Sequence, residues 1–382
     1  MIPAPGVFLA GIVVFLVVLW DAFEAIILPR RVTRKFRLTR VYYRSTWGVW
    51  KFIVCLMQDR KQRETFLGFY GPISLIVLVA VWAIGLVFSF GLMQYGAGSA
   101  VNVTGLTPSL STDLYLSGTT FFTLGLGDVI PRSGLSRFLV VSECGLGLGF
   151  LAVVIGYLPF IYGSFAEREI NISLLDSRAG TPPTAGELLR RHSFNGGHEA
   201  LRDLLKDWER WSAQLLESHL SYPVLAYFRS QHDNQSWIAA LTAILDTCAL
   251  TIVGIDDACG KQAELTFAIA RHAIADLAQV FSAAPHPLPE DRLPPEQLKK
   301  LRSVLAAEGM QLHDSPQADA KLNKLRAMYE PYVYSLATYL NQSLPPWIPA
   351  QKRKDNWQTT AWGQETGNLR EDKEALVHDD HF

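Results

Sequence analysis

The sequence predicts an all-α membrane protein: three transmembrane helices with a re-entrant helix and loop between the second and third, then an α-helical cytoplasmic domain. Three observations predict it. Of the 382 residues, 49% are hydrophobic and 19% charged, too apolar for an ordinary soluble chain and too charged for one built only of spans. Three apolar stretches, Val7–Leu28, Ile73–Gln94 and Leu135–Phe165, reach the roughly 20 residues that a bilayer crossing requires. Basic residues are sharply segregated. Between Pro29 and Tyr70 stand eleven Lys and Arg against two acidic residues, whereas Met93 to Gly134 carries one basic residue, Arg132. The positive-inside rule then puts the first segment in the cytoplasm and the second outside, with the amino terminus outside and everything beyond Phe165 inside.

In order along the chain, residues 1–28 are expected to form the first span. A cleaved signal peptide is disfavoured, because the basic residues follow the apolar run and no small-x-small site closes it. Asp21 and Glu24 share a helix face near its inner end. Pairing with Arg30, Arg31 or Arg34 is one reading and a proton- or divalent-ion-sensing site the other. Residues 29–70 form a basic juxtamembrane segment. Arg31, Arg34, Arg37 and Arg40 recur every third residue, but the interrupted spacers leave too little apolar length for a span. A helix lying on anionic lipid accounts for them, with Trp47 to Met57 continuing along the interface.

Residues 71–165 hold two spans and a loop. Pro108-Ser109-Leu110-Ser111-Thr112-Asp113 has hydroxyl caps and an early acid, so a helix is expected from about Thr112 to Phe122. It is too short to span and must be re-entrant. The run that follows, Phe122-Thr123-Leu124-Gly125-Leu126-Gly127-Asp128-Val129-Ile130-Pro131, reads as an ion-selectivity filter, in which backbone carbonyls replace an ion's hydration shell. Gly125 and Gly127 permit positive φ, so that consecutive carbonyls face one axis without a Cβ clash.

Thr119-Thr120-Phe121-Phe122-Thr123-Leu124-Gly125-Leu126-Gly127-Asp128, with its flanking spans, resembles the pore module of the potassium channel superfamily. The likeness covers roughly Pro72 to Phe165. It implies permeant potassium coordinated by the carbonyls of Thr123, Leu124, Gly125 and Leu126, no other cofactor, and a homotetramer, since one chain supplies one loop and four surround an ion. It also implies support of the filter by the pore helix, at Thr120. Two positions depart from the family pattern: Leu124 replaces Val, and Leu126 replaces the aromatic that hydrogen-bonds to the pore helix and holds the carbonyl ring at its working diameter. Asp128, just outside the filter, is expected to form an external acidic ring or to cap the returning loop.

On the third span, Gly145, Gly147 and Gly149 alternate. Close packing through small residues is one reading. A gating hinge at Gly147, with a second kink at Pro159, is the other. Glu143, one turn before Gly147, is an ionisable group at membrane depth; it either braces the back of the filter or faces water.

Residues 166–342 are expected to form a helical domain, with helices near Glu199–Leu220, Gln235–Ile255, Gln262–Phe281 and Ala318–Leu340, and residues 343–382 a disordered tail. No glycine-rich strand-turn-helix is present, so neither a nucleotide-binding module nor an enzyme is indicated, and nothing suggests nucleic acid. His219, His232, Asp233, Asp246, Asp256 and Asp257 match no ligand spacing and are expected on exposed helix faces. Tyr222 to Phe228 is the segment expected to meet a partner. The four cysteines, Cys55, Cys144, Cys248 and Cys259, form no paired motif. Asn102-Val103-Thr104 fits a glycosylation sequon. The expected location is the cell (inner) membrane. The functions consistent with these residues are a potassium channel, a non-selective cation channel, or a non-conducting sensor or scaffold.

Overall fold

The computed structural model describes residues 3–28, 38–99, 101–103, 108–230, 235–255 and 258–349. The chain divides into two units, Met1–Ser164 and Phe165–Phe382.

In the first unit, helix α1 (Pro5–Ile26) opens with a proline in its first turn, where a missing N–H costs nothing. It runs antiparallel to α3 (Arg60–Gly96), because its partners fall in number as it advances: Phe8 meets Gly96, Gly11 meets Met93, Phe15 meets Phe90 and Val18 meets Gly85. The two backbones approach closely. A Cβ on Gly96 would lie 2.4 Å from the Phe8 nitrogen, so only glycine fits there. At about 1.5 Å per residue, the 37 residues of α3 extend well beyond the roughly 30 Å hydrocarbon core. Its charged start therefore projects as a platform for α2 (Leu38–Cys55), whose aromatic residues lie along it. Trp50 stacks on Phe66 at 4.4 Å, Trp47 packs on Tyr70 at 4.8 Å, and the Tyr42 hydroxyl donates to the Ser74 carbonyl at 2.8 Å.

Asp21 joins these three helices. Buried on α1, it accepts hydrogen bonds from the Thr39 amide (3.1 Å) and hydroxyl (2.6 Å) at the start of α2, and from the Trp82 indole (2.9 Å) on α3. Glu24 accepts from the Trp20 indole at 2.7 Å. Arg30, Arg31 and Arg34, the partners expected for both, lie outside the described residues, as does Arg37; Arg40 is exposed on α2.

Beyond α3 come the short strand β1 (Val101–Val103), helix α4 (Leu110–Phe121), strand β2 (Val129–Pro131) and helix α5 (Gly134–Ala179). The strands pair antiparallel with Val101 opposite Pro131 and Val103 opposite Val129, which fastens the two ends of the re-entrant segment together. The sequence reading included no strands here. Val101, Val103 and Val129 are the β-branched signal that could have suggested them.

In the second unit, α6 (Ala185–Arg191), α7 (Gly197–Ser221), α8 (Trp237–Gly254), α9 (Ala258–Val280), α10 (Pro295–Ala307), α11 (Pro316–Ala327) and α12 (Glu330–Leu340) form a helical domain. Among the described residues four helices are long and apolar enough to cross a membrane, and α8 is one of them. All 18 of its residues are buried within protein, so its apolarity serves as core. Its hydroxyls are satisfied locally: Thr242, Thr247 and Thr251 each donate to the carbonyl four residues back.

Several expectations are corrected in this unit. The helix read over Ala318–Leu340 is two, because Tyr329 lies outside helical geometry and Pro331 starts a new turn. Helix α10, absent from the helices expected, begins at Pro295 after Pro294, since proline suits a first helical turn. Residues up to Trp347, read as part of the tail, pack with the domain, because Trp347 is fully buried under the guanidinium groups of Arg292 and Arg326. Tyr222 to Phe228 is no partner surface: Val224, Leu225, Ala226, Tyr227 and Phe228 are all in the core. Asp246 and His219 are buried rather than on exposed faces. Asp246 pairs with Arg292 at 2.6 Å and accepts from the Tyr329 hydroxyl. His232, Asp233, Asp256 and Asp257 lie outside the described residues.

His219 has a fixed tautomer. Its Nδ1 lies 2.9 Å from the Leu215 carbonyl, which only accepts, so Nδ1 carries the hydrogen and the Nε2 lone pair faces the Arg168 guanidinium at 3.3 Å. Burial, and then the Arg168 charge, hold its pKa well below the ordinary 6.5. An unfolded His219 takes up a proton below pH 6.5 while the folded one does not. Stability is therefore fully present above that value and falls below it, by up to about 1.4 kcal/mol per pH unit for one proton. Thermal unfolding of the full chain should show this acid loss, and His219→Gln should flatten it.

Candidate functional site

Helix α4 runs directly into the loop of residues 122–128. Its start is capped by Ser109, whose hydroxyl accepts from the Thr112 amide, and Asp113 in the first turn suits the positive end of the helix dipole. Asp113 is fully buried and accepts from the Ser99 hydroxyl at 2.5 Å. At the other end the backbone turns sharply. The Phe122 amide donates to the Gly118 carbonyl (3.1 Å), the Thr123 amide to Thr120 (3.0 Å) and the Leu124 amide to Thr119 (2.8 Å). Thr120 thus holds the entry to the filter through its carbonyl.

From there the backbone alternates. Thr123, Gly125 and Gly127 have φ of 57°, 56° and 77°, whereas Leu124 and Leu126 between them do not enter positive φ. Alternation of left- and right-handed residues is the geometry that turns successive carbonyls toward one side instead of opposite sides. Glycine makes this cheap at two of the three positions; Thr123 adopts it as a non-glycine residue.

Every residue from Phe122 to Asp128 is exposed in the single chain, between buried Phe121 and Val129. Leu124 and Leu126 are 62% and 64% exposed. Two leucines and an irregular backbone facing outward at membrane depth need protein around them.

The end of α4 and the loop after it are held from behind by α5. A Cβ on Gly147 would lie 2.2 Å from the Phe121 carbonyl oxygen, so α5 meets the last residue of α4 in direct backbone contact. Gly145 and Gly149 have open space at the same test. One turn before Gly147, Glu143 is fully buried and hydrogen-bonded to the Ser117 hydroxyl of α4, which also reaches the Val87 carbonyl of α3 at 2.6 Å. Of the two readings of Glu143, the water-facing one is thereby corrected. Pro159 lies further along, inside the continuous helix α5.

Asp128, at the outer end, is exposed and lies near enough to the Tyr115 hydroxyl of α4 to interact with it electrostatically. At the same level Gln94 of α3 and Ser136 of α5, both buried, exchange two hydrogen bonds, at 3.1 and 2.7 Å. Tyr115, Ser117, Ser99 and the Gln94–Ser136 pair escaped the sequence reading. Asp113 and Ser117, four apart and so on one face of the re-entrant helix, were the available signal.

A re-entrant helix, an alternating-φ loop and two flanking spans together define a pore domain of the potassium-channel type. Residues 73–159 match the family described as Ion channel, Ion_trans_2. The chain carries that family's two-transmembrane domain there and is a membrane protein. It is 27% identical over 212 residues to the uncharacterized membrane protein YdjJ of Bacillus subtilis (strain 168). That match covers 54% of this chain and 59% of the relative. No solved structure matches.

Gly147→Ala should force α5 away from the Phe121 carbonyl. The expected cost is roughly 1–3 kcal/mol of stability, as for overpacked cores, read by thermal unfolding in detergent. Gly145→Ala, with open space around it, should leave the unfolding temperature near wild type.

Proposed function

We propose that the chain assembles as a homotetramer in the cell membrane and forms a channel that passes potassium down its gradient, with the carbonyls of Thr123, Leu124, Gly125 and Leu126 replacing the ion's water. The alternating backbone of Thr123 to Gly127 is the observation that carries this reading. A carbonyl ladder is useful only if it surrounds an axis, and one chain supplies one side of it. The exposed run from Phe122 to Asp128 supports three further copies completing the ring. Gly127 lets the chain leave the ladder, and four Asp128 carboxylates would concentrate cations at the outer mouth.

The amino terminus is assigned outside and the helical domain inside, on the distribution of Lys and Arg. Anionic lipid is the proposed partner of Arg31, Arg34, Arg37 and Arg40. Gly147 and Pro159 are the proposed bending points of the inner helix. At Gly147 the close contact with Phe121 would make any bend move the end of the pore helix as well. No enzymatic step is assigned; transport is passive.

A non-selective cation channel is the second reading, favoured by one feature: Leu126 has no group with which to hydrogen-bond to α4, so the middle of the ladder lacks a polar brace.

Purified full-length protein in a planar bilayer, with potassium on one side and sodium on the other, tests these readings. Reversal near the potassium equilibrium potential is expected; reversal near zero would favour the second reading. Gly125→Ala should abolish current, because an L side chain is strained at that φ. A variant that conducts normally would refute the proposed ladder. Leu126→Tyr, by restoring a hydrogen-bonding group, should shift the reversal potential toward potassium if the second reading holds.

A further inference from the structure

The buried triad behind the filter contains one hydrogen too few for an ionised Glu143. Ser117 Oγ lies 2.6 Å from the Val87 carbonyl oxygen and in hydrogen-bond contact with Glu143 Oε1. A serine hydroxyl has a single hydrogen, and a backbone carbonyl never donates. If Ser117 donates to Val87, the hydrogen between Ser117 and Glu143 must come from the carboxyl group. If it donates to Glu143, two bare oxygens face each other at 2.6 Å.

The surroundings favour the first arrangement. Glu143 is fully buried, and its Oε2 has no hydrogen-bond partner. A carboxylate there would be a bare charge at membrane depth. No cation is available to it from the elements packed around it: α1, residues 73–96 of α3, and α4 contain no Lys, Arg or His. From α4 it faces Ser117, with Asp113 one turn earlier bound to Ser99, and Tyr115 near Asp128. From α3 come the Val87 carbonyl and the buried Ser89, which donates to the Leu86 carbonyl. Tyr95, near the outer end of α3, is the only titratable side chain of residues 73–96. The α1 residues nearest this part of α5 are Phe8, Ile12 and Phe15, packed with Leu139 and Leu146. On α5 itself, Arg137 is exposed on another face.

We propose that Glu143 is a positioning residue that works as the neutral carboxylic acid, donating its hydrogen to Ser117 and so fastening α5 to α4 and α3 one turn from the Gly147–Phe121 contact. Its deprotonation would set a carboxylate against the Ser117 oxygen and loosen the helix that carries the filter. Conduction would then fall on alkalinisation. The flux part of this inference rests on the reading of the pore as conducting.

The test uses full-length protein in liposomes, with potassium flux measured from about pH 6 to about pH 10, alongside infrared spectra of the same samples. Wild-type flux should decline through a one-proton transition, approaching about tenfold per pH unit beyond the midpoint. In Glu143→Gln the amide donates to Ser117 at every pH, so the decline should disappear. The spectrum of wild type should show a protonated-carboxyl stretch that Glu143→Gln lacks and that alkali removes with the same midpoint. A Glu143→Gln variant retaining the wild-type pH profile would overturn the proposal. So would a wild-type spectrum without that band at neutral pH, whether or not the protein conducts. Absence of wild-type flux at every pH, with the band present, would support the proton assignment and refute the conducting reading.

Discussion

An irregular stretch of backbone at membrane depth is the constraint on which the pore unit depends. Between Phe122 and Asp128 the chain forms neither helix nor strand, and lipid offers nothing to satisfy its amides and carbonyls. The fold meets this by gripping both ends. At the inner end, three amides turn back onto the last carbonyls of α4, and the Phe121 carbonyl is pressed against Gly147. At the outer end, β1 pairs with β2. The carbonyls between these grips are left free of chain partners and available to something else.

The same constraint explains the glycines and the buried polar groups around the loop. Close approach of α1, α3, α4 and α5 reduces the void that a short re-entrant helix would leave, and it is reached at Gly96 against Phe8, Gly91 against Leu114 and Gly147 against Phe121. Apolar contact alone does not set register in a bilayer, where lipid tails compete on equal terms. Register is set here by paired polar side chains: Asp21 with Thr39 and Trp82, Gln94 with Ser136, Ser117 with Glu143 and Val87. Each pair joins different helices, and a sliding helix would leave its groups unpaired in a dry interior.

The spans and the re-entrant helix were legible in the sequence because each rests on a local signal: length of apolar run, capping residues, segregation of Arg and Lys. The positive φ of Gly125 and Gly127 was legible because backbone demands are written as glycine spacing. The partners of the polar side chains were not. Nothing near Glu143 in sequence names Ser117, since that contact depends on how far the returning loop carries the chain. In the helical unit the failures have one cause. Composition read His219, Asp246, the segment Tyr222–Phe228 and Trp347 as surface or tail, whereas long-range partners bury all of them: Arg168 for His219, Arg292 and Tyr329 for Asp246, Arg292 and Arg326 for Trp347.

Leu126 makes the division of labour in the proposed ladder unusual. Where an aromatic hydrogen-bonds to the pore helix, the middle of a filter is braced directly. With leucine, the contacts that hold the loop lie at its ends, through the α4 turn and Gly147 at one and through the β1–β2 pair at the other. The diameter at the centre then depends on how rigidly α4 is held, because every lateral movement of that helix is passed on to Thr123 and Leu124 by their hydrogen bonds to Thr120 and Thr119. Ser117, just before those carbonyls, is the side chain through which α3 and α5 both reach α4 by polar groups. On the proposed reading, the width at the centre of the ladder is therefore set by the helix behind it rather than by a side chain of the ladder itself.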